Sequence, residues 1–506
     1  MLKRIGILLS LWVVGAVAGP SRPNVVFILA DDLGYGELGC YGQEKIKTPH
    51  IDQLAAEGVR FTQHYTGAPV CAPARCVLMT GRHLGHAEIR GNRDSGQKGK
   101  FPGQWPLSDE ALTLAEVLKA QGYSTGAFGK WGLGPSGTSG SPVRQGFDYF
   151  FGYNCQRNAH SYYPPFLDRG ELRVPINEPS VPGHARQPEG DVRAVDYRGE
   201  NYAPDLILNE ALQFIDTHKD GPFFLYLPLV EPHVAMQPPQ EWLDQYPKEW
   251  DDPSEDAPGV YRGQNGYLPH DRPRAAYAAM ISDMDAHVGA VMERLRKHGL
   301  DSNTLVIFTS DNGATHGGAD RRFHVGGVDA WFFNSSGGLR GYKGSCYEGG
   351  IRVPCIVRWP GQVPAGGKVT APSYFPDWFP TLGRISGADL SGVPHDGVDL
   401  WPAMDGRKLA QRGQPMIWDF HDYGGIVAIR DGRWKAVRRG MRRTNPQPWE
   451  LYDLEHDPGE TRNVATEHPG QVEAMADAWL RNRTVEPDFP LPAADALTQG
   501  GAETSR

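Results

Sequence analysis

The sequence predicts an α/β protein, a large and mostly parallel sheet sandwiched by helices, with a smaller C-terminal α+β domain. Three observations predict it. Unbroken apolar runs of strand length occur at 24–30, 222–227 and 304–310, as expected of strands buried on both faces. Segments of helical periodicity separate them. Each run ends abruptly in polar groups, and in a parallel sheet sites lie at the carboxyl ends of strands.

The chain has 506 residues, enough for two or three domains, with 40% hydrophobic and 22% charged residues, as in ordinary globular proteins. Its net charge of −9 gives no reason to expect nucleic-acid or anionic-membrane partners. Residues 1–18 carry the marks of a signal peptide: Lys3 and Arg4, an apolar core at 5–14, and Ala16-Val17-Ala18. That core is short for a membrane anchor, and no other segment approaches spanning length. Export to the periplasm or the medium is therefore expected. Six cysteines are too few for a disulfide framework in a chain of this size.

Taken in order, strand 24–30 runs into Asp31-Asp32, two carboxylates that need a compensating charge at the end of a buried strand. A hard cation with oxygen ligands would supply it. A helix is expected over 48–58, and Thr113 with Glu116 forms a capping box opening a second one. Strand 123–128 delivers Gly129-Lys130-Trp131-Gly132, and strand 222–227 is followed by Glu231-Pro232-His233. Tyr277, Ile281, Met284, Val288, Val291 and Leu295 alternate steps of four and three, marking a long helix that ends at Gly299. Strand 304–310 then meets Asp311-Asn312-Gly313, and Lys343 sits in a glycine-rich loop before a strand at 353–359. Four strand ends carrying Asp31/Asp32, Lys130, His233 and Asp311/Asn312 are expected to converge on one pocket. The domain carrying it is expected to span 19–386. An α+β unit follows over 387–490, with strands at 416–420, 426–430 and 434–438 and a helix at 471–480. Residues 491–506 read as a disordered tail.

The stretch 70–82 reads V-C-A-P-A-R-C-V-L-M-T-G-R. Pro73 is tolerated in a first helical turn, and a thiol at such a start faces unpaired N–H groups and a favourable dipole. With Arg75 nearby, Cys71 is expected to have a lowered pKa and to act as a nucleophile. The competing reading is a buried structural cysteine.

Cys71-Ala-Pro-Ala-Arg75 with Met79-Thr-Gly-Arg82, together with the ordered motifs above, resembles the type I sulfatases of the alkaline-phosphatase superfamily, from about residue 23 to 465. The resemblance implies that a formylglycine-generating or anaerobic maturation enzyme oxidises Cys71 to formylglycine, whose hydrate is the nucleophile. It implies one calcium ion held by Asp31, Asp32, Asp311, Asn312 and the modified Cys71. Arg75 would orient the hydrate, Lys130 and Lys343 would clamp sulfate oxygens, and His233 would bind sulfate and protonate the departing oxygen. The family usually has His after the Lys-Trp pair, as base for the collapse step, but this chain has Gly132. His160 is the leading substitute and a candidate substrate contact, with His83, His86 and His316 behind it. The implied substrate is a sulfated carbohydrate or an aryl sulfate, and likeness to galactosamine-6-sulfatases points to 6-O-sulfated galactose or N-acetylgalactosamine. Aromatics at 149–166 and 331–334 are candidates for a sugar cleft or for core. Two other readings compete with this one. A phosphate ester hydrolase of the same superfamily would usually have Ser or Thr at the nucleophile and two metals. An inactive sulfated-glycan-binding relative has only Gly132 in its favour.

Overall fold

The computed structural model describes residues 22–94, 103–254, 259–264, 266–316 and 325–503; the expected signal segment lies outside them. Among the described residues the large sheet has eleven strands. These are β1 (Asn24–Ala30), β2 (Val59–Tyr65), β3 (Ser124–Lys130), β4 (Tyr149–Tyr153), β5 (Phe166–Arg169), β6 (Leu172–Pro175), β7 (Phe223–Pro228), β8 (Thr304–Ser310), β9 (Arg352–Arg358), β10 (Gly367–Val369) and β11 (Ser373–Tyr374). Their order is β10-β2-β9-β8-β1-β7-β3-β4-β5-β6, with β11 beside β2. The centre, β8-β1-β7-β3-β4, is parallel, whereas β9 runs antiparallel to both β8 and β2.

The unbroken apolar runs follow from this burial. Val25, Phe27 and Leu29 point into one core, and Val26, Ile28 and Ala30 into another on the opposite face. Burying each large apolar side chain contributes roughly 1.5–3 kcal/mol before entropy is counted. On the first face lie helices Cys71–Thr80, Leu114–Ala120 and Trp378–Ser386; on the second lie Pro49–Ala56, Ala203–His218 and Pro273–Lys297. The Thr113/Glu116 capping box is formed.

A separate antiparallel sheet comprises β12 (Met416–Phe420), β13 (Ile426–Asp431), β14 (Trp434–Arg439) and β15 (Glu450–Asp453). Trp418, Phe420, Ala428 and Val437 join the first core of the large sheet. Ile417, Val427 and Ile429 pack instead on Met475 and Trp479 of helix Pro469–Arg481. Between the sheets, buried Lys435 is 2.9 Å from Glu348 and 3.0 Å from Glu460. One expectation is corrected here: the segment read as a disordered tail forms helix Pro492–Glu503. Leu491 and Ala494 are buried in the third core, and Asp495 accepts from Leu491 N and Arg483. Composition alone pointed to disorder because only these few residues anchor the segment.

Candidate active site

Strand register brings the site together. Ala30 pairs with Ser310 and Leu29 with Pro228, so Asp31 and Asp311 leave adjacent strands at one level. Ala127 pairs with Tyr226, which brings Lys130 to the same edge. Asp31 N donates to the Glu231 carbonyl at 3.0 Å, tying β1 to the loop that carries His233. From below, His287 of helix Pro273–Lys297 is 3.0 Å from the Glu231 carboxylate and holds that loop.

Cys71 is the first residue of helix Cys71–Thr80, after extended Val70, and all ten residues of that helix are buried. Its Sγ lies 3.5 Å from Asp31 Oδ1 and 3.5 Å from Lys130 Nζ. One turn on, Arg75 donates to Asp311 Oδ2 through Nε at 3.1 Å and Nη2 at 2.7 Å, and reaches Asp31 at 3.5 Å. Arg75 also donates to the Lys130 carbonyl, and Lys130 Nζ to Asp31. Lys343 Nζ is 2.7 Å from Asp32 Oδ1, and His233 Nε2 is 3.6 Å from Asp32 Oδ2. Asn312 Nδ2 donates to Asp32 Oδ1 at 2.7 Å. Asp32 has φ 67, left-handed backbone that a short Asp side chain tolerates better than most.

The electrostatics follow from burial and these partners. Burial alone would raise Asp31, but Lys130, His233 and Arg75 hold its carboxyl far below the usual range. Asp32 is likewise lowered, against burial, by Lys343 and His233. Asp311 is pushed up to about 6 by burial and by Asp31. The Cys71 thiol is pushed up to about 12 by burial and by Asp31, which outweigh Lys130 and Lys343. This corrects the expectation of a lowered thiol pKa. Arg75 spends its charge on Asp311 and Asp31, so as a free thiol Cys71 is a poor nucleophile.

An oxygen-coordinated cation fits these residues. Asp31, Asp32, Asp311 and Asn312 are all fully buried, and Asn312 Oδ1 has no hydrogen-bond partner. One donor atom from each of Asp31, Asp32, Cys71 and His233 lies within 4.8 Å of the others. Lys130, Arg75 and Lys343 neutralise the three carboxylates in the structure itself. A buried, unpartnered amide oxygen among acidic oxygens suits a hard cation such as calcium.

His160 stacks on His233, with ring centroids 5.0 Å apart and planes at 12°. Its Nδ1 is 2.9 Å from His184 Nε2, and His184 Nδ1 donates to the Gly266 carbonyl. That terminal acceptor assigns the tautomers: in the neutral pair His184 Nε2 accepts, His160 Nδ1 carries the hydrogen, and His160 Nε2 is left a lone-pair acceptor. Burial and then the neighbouring His233 hold His160 far below the usual histidine range. His83 and His86 gather instead around Asp396, beyond the far end of helix Cys71–Thr80. His316 lies 4.8 Å from Tyr342, beside Lys343.

Several neighbours were missed by sequence reasoning. Gly132 has φ 86, and the three atoms nearest to where its Cβ would lie all belong to Gln156, with Nε2 at 2.9 Å. Gln156 Nε2 is buried and unpartnered, and this side chain occupies the place beside Gly132. No pattern in the sequence marks Gln156, His184 or Tyr267 (its ring 5.4 Å from that of His160), which arrive on irregular loops. Thr315 donates to Asp32 and lies four residues past Asp311, so proximity to that motif could have found it.

Comparison with known proteins identifies the family. The sulfatase family model matches residues 23–388, and the model described as N-sulphoglucosamine sulphohydrolase, C-terminal, matches 342–483. The chain belongs to the sulfatase family, enzymes of the alkaline-phosphatase superfamily, and is a sulfuric ester hydrolase. It is 33% identical to human arylsulfatase A over 94% of this chain and 90% of that protein. It is 29% identical to N-acetylgalactosamine-6-O-sulfatase of Bacteroides thetaiotaomicron, over 90% of this chain and 92% of the relative. The solved structure of Ps i-CgsB in complex with k-i-k-neocarrahexaose superposes with a TM-score of 0.72 at 26% identity, covering 96% of this chain and 98% of that one.

Proposed function

We propose that this sulfatase removes sulfate from a sulfated carbohydrate, with Cys71 converted to formylglycine and one calcium ion held by Asp31, Asp32, Asp311, Asn312 and the modified residue 71. The observation that carries the reading is Cys71 itself, a thiol 3.5 Å from both Asp31 and Lys130 with its pKa pushed up to about 12. Such a group does little as a thiol, whereas a hydroxyl of an aldehyde hydrate at that point stands among cations suited to an oxyanion. Bound calcium would polarise a sulfate oxygen and lower the pKa of the attacking hydroxyl.

The chain's own residues divide the remaining work. Arg75, fixed by two bonds to Asp311, orients the helix start and the hydrate. Lys130 and Lys343 each hold a carboxylate in the structure and stand ready to bind sulfate oxygens as charge builds. His233 donates through Nδ1 to the Val234 carbonyl, which directs Nε2 into the pocket. There it binds sulfate. Burial, Lys343 and Lys130 hold the His233 pKa down to about 4, so Nε2 first takes up a proton as the anionic sulfate ester enters and offsets the lysines. His233 then gives that proton to the leaving oxygen as the S–O bond breaks. The second hydroxyl of the hydrate then gives its proton to water, its electron pair restores the aldehyde C=O, and the C–O bond to sulfate breaks to release inorganic sulfate.

His160 acts from behind His233, on the leaving-group side, and Gln156 stands where the family's collapse base would be. The identities with human arylsulfatase A and the bacterial N-acetylgalactosamine-6-O-sulfatase support the sulfate ester, and the latter supports a sugar substrate. The leading basic and apolar segment and the A-x-A site support export; among the described residues no helix is long and apolar enough to cross a membrane.

Peptide mass spectrometry across Cys71 in protein from the native host, paired with sulfate release from an aryl sulfate and a panel of sulfated sugars, tests the proposal. An aldehyde at residue 71 and release from a sugar are expected. An unmodified thiol with no release from any substrate overturns it.

A further inference from the structure

Beside the catalytic centre lies a cleft of about 510 Å3, whose walls include Trp331, Asn334, Ser336, Arg340, Tyr342 and Lys343. This volume is within the ~300–1,000 Å3 range of small-molecule sites. The cleft borders the centre at Lys343, which lines it and whose Nζ is bonded to Asp32. His316, which also lines it, follows the loop of Asp311 and Asn312. Trp331 is 44% exposed, and its indole makes an edge contact with Tyr342 at 6.4 Å. The opposite character comes from backbone: Gly338 is exposed with φ 82 and has no heavy atom within 4 Å of where a Cβ would lie, so its peptide groups stay uncovered. Arg340 is held through Nη1 by Tyr452 Oη at 2.7 Å and the Glu460 carbonyl at 3.0 Å, yet its side chain is 40% exposed.

We infer that this cleft is a second sugar subsite: it takes the pyranose next to the sulfated residue of an anionic glycan chain, stacked on Trp331. The inference rests on the sulfated-carbohydrate reading and names where the rest of the chain goes. A pyranose has a face of weakly positive C–H groups that suits the negative face of an indole, and hydroxyls that suit peptide N–H and C=O groups. An apolar aglycone would meet the tryptophan but strip water from Asn334, Arg340 and the Gly338 backbone without replacing it. Charge points the same way. In a protein of net charge −9, the wall carries the half-exposed Arg340 guanidinium, loosely paired with Glu450 at 3.9 Å, as a cation that a polyanionic chain can meet.

The other aromatic stretch does not compete. Phe150, Phe151, Tyr153 and Tyr162 are core, and exposed Tyr149 opens β4 at the end of the sheet away from Lys130.

The test compares wild type, Trp331→Ala and Trp331→Phe on three substrates: an aryl sulfate, 6-sulfated N-acetylgalactosamine or galactose as monosaccharides, and oligosaccharides ending in the same sulfated residues. Trp331→Ala is expected to lose at least ~10-fold in kcat/KM on the oligosaccharide, to stay within about twofold on the two small substrates, and to be largely restored by Trp331→Phe. Calorimetric titration of Cys71→Ala with the same oligosaccharide is expected to show the matching loss of affinity when Trp331→Ala is added. An equal effect on all three substrates, or none on the oligosaccharide, overturns the subsite. Wild type that cleaves aryl sulfate but no sugar removes the carbohydrate reading, and the subsite falls with it. Wild type that cleaves no sulfate ester at all removes the proposed mechanism.

Discussion

His160 lies flat against His233, with the ring planes 12° apart, and is itself held by His184. This places His160 behind the proton donor to the leaving oxygen. His160→Ala should therefore depend on the leaving group. On a sugar sulfate, whose alcohol leaves poorly without a proton, kcat should fall roughly 10- to 100-fold. On an aryl sulfate with an acidic phenol, the loss should stay under about threefold. Equal losses on both would instead place His160 in the collapse step, which all substrates share.

Calcium should stabilise the folded chain through Asp31, Asp32, Asp311 and Asn312. At a hundredfold excess over Kd, the gain is about 2.7 kcal/mol. Thermal melts of wild type in calcium and in chelator give this increment without any turnover. Asp32→Asn keeps a side chain that tolerates φ 67 and should shrink the increment. Equal melting with and without calcium in wild type would remove the metal from the proposal.

Gly132 and Gln156 compete for one space. Gly132→His should destabilise through left-handed backbone, by about 1–2 kcal/mol, and through the 2.9 Å contact with Gln156 Nε2. Adding Gln156→Ala should recover the part due to the contact. A double-mutant cycle read by denaturant melts measures it, and strict additivity would show that the two side chains do not share that volume.

His64 and His83 set a pH dependence of stability away from the pocket. Burial, with Arg412 beside His64, pushes both down to about 3 in the folded protein, from 6.5 in the unfolded chain. Between those values the unfolded chain binds protons that the folded one does not. Stability is thus complete above about pH 6.5 and falls as pH drops, by up to ~1.4 kcal/mol per pH unit for each histidine. Comparing unfolding at pH 7 and pH 5, His64→Gln should show a smaller loss than wild type. An unchanged difference would contradict the assignment.

The sheet centre and the gathering of charged groups at one edge of it are legible because buried parallel strands leave unbroken apolar runs, and charges at their ends stand out against them. Asp31, Lys130, His233 and Asp311 all announce themselves this way. The Cys71 pKa was not legible: Arg75 and the helix start are local, but burial and Asp31, forty residues away in sequence, decide its direction. His184 and Gln156 had no signal either, since loops carry no period. The segment around Trp331 divides between roles, because Trp331 opens on the cleft while Phe333 is 2% exposed in the core.

The burial of helix Cys71–Thr80 also imposes an order of events. All ten of its residues are covered, and Cys71 is 1% exposed. No second enzyme can grip the backbone around Cys71 once the sheet and the helices beside it have closed. The proposed oxidation must therefore reach the chain while it is still extended. On that proposal folding competes with maturation, and a molecule that folded first would be sealed in an inactive form that only unfolding could reopen.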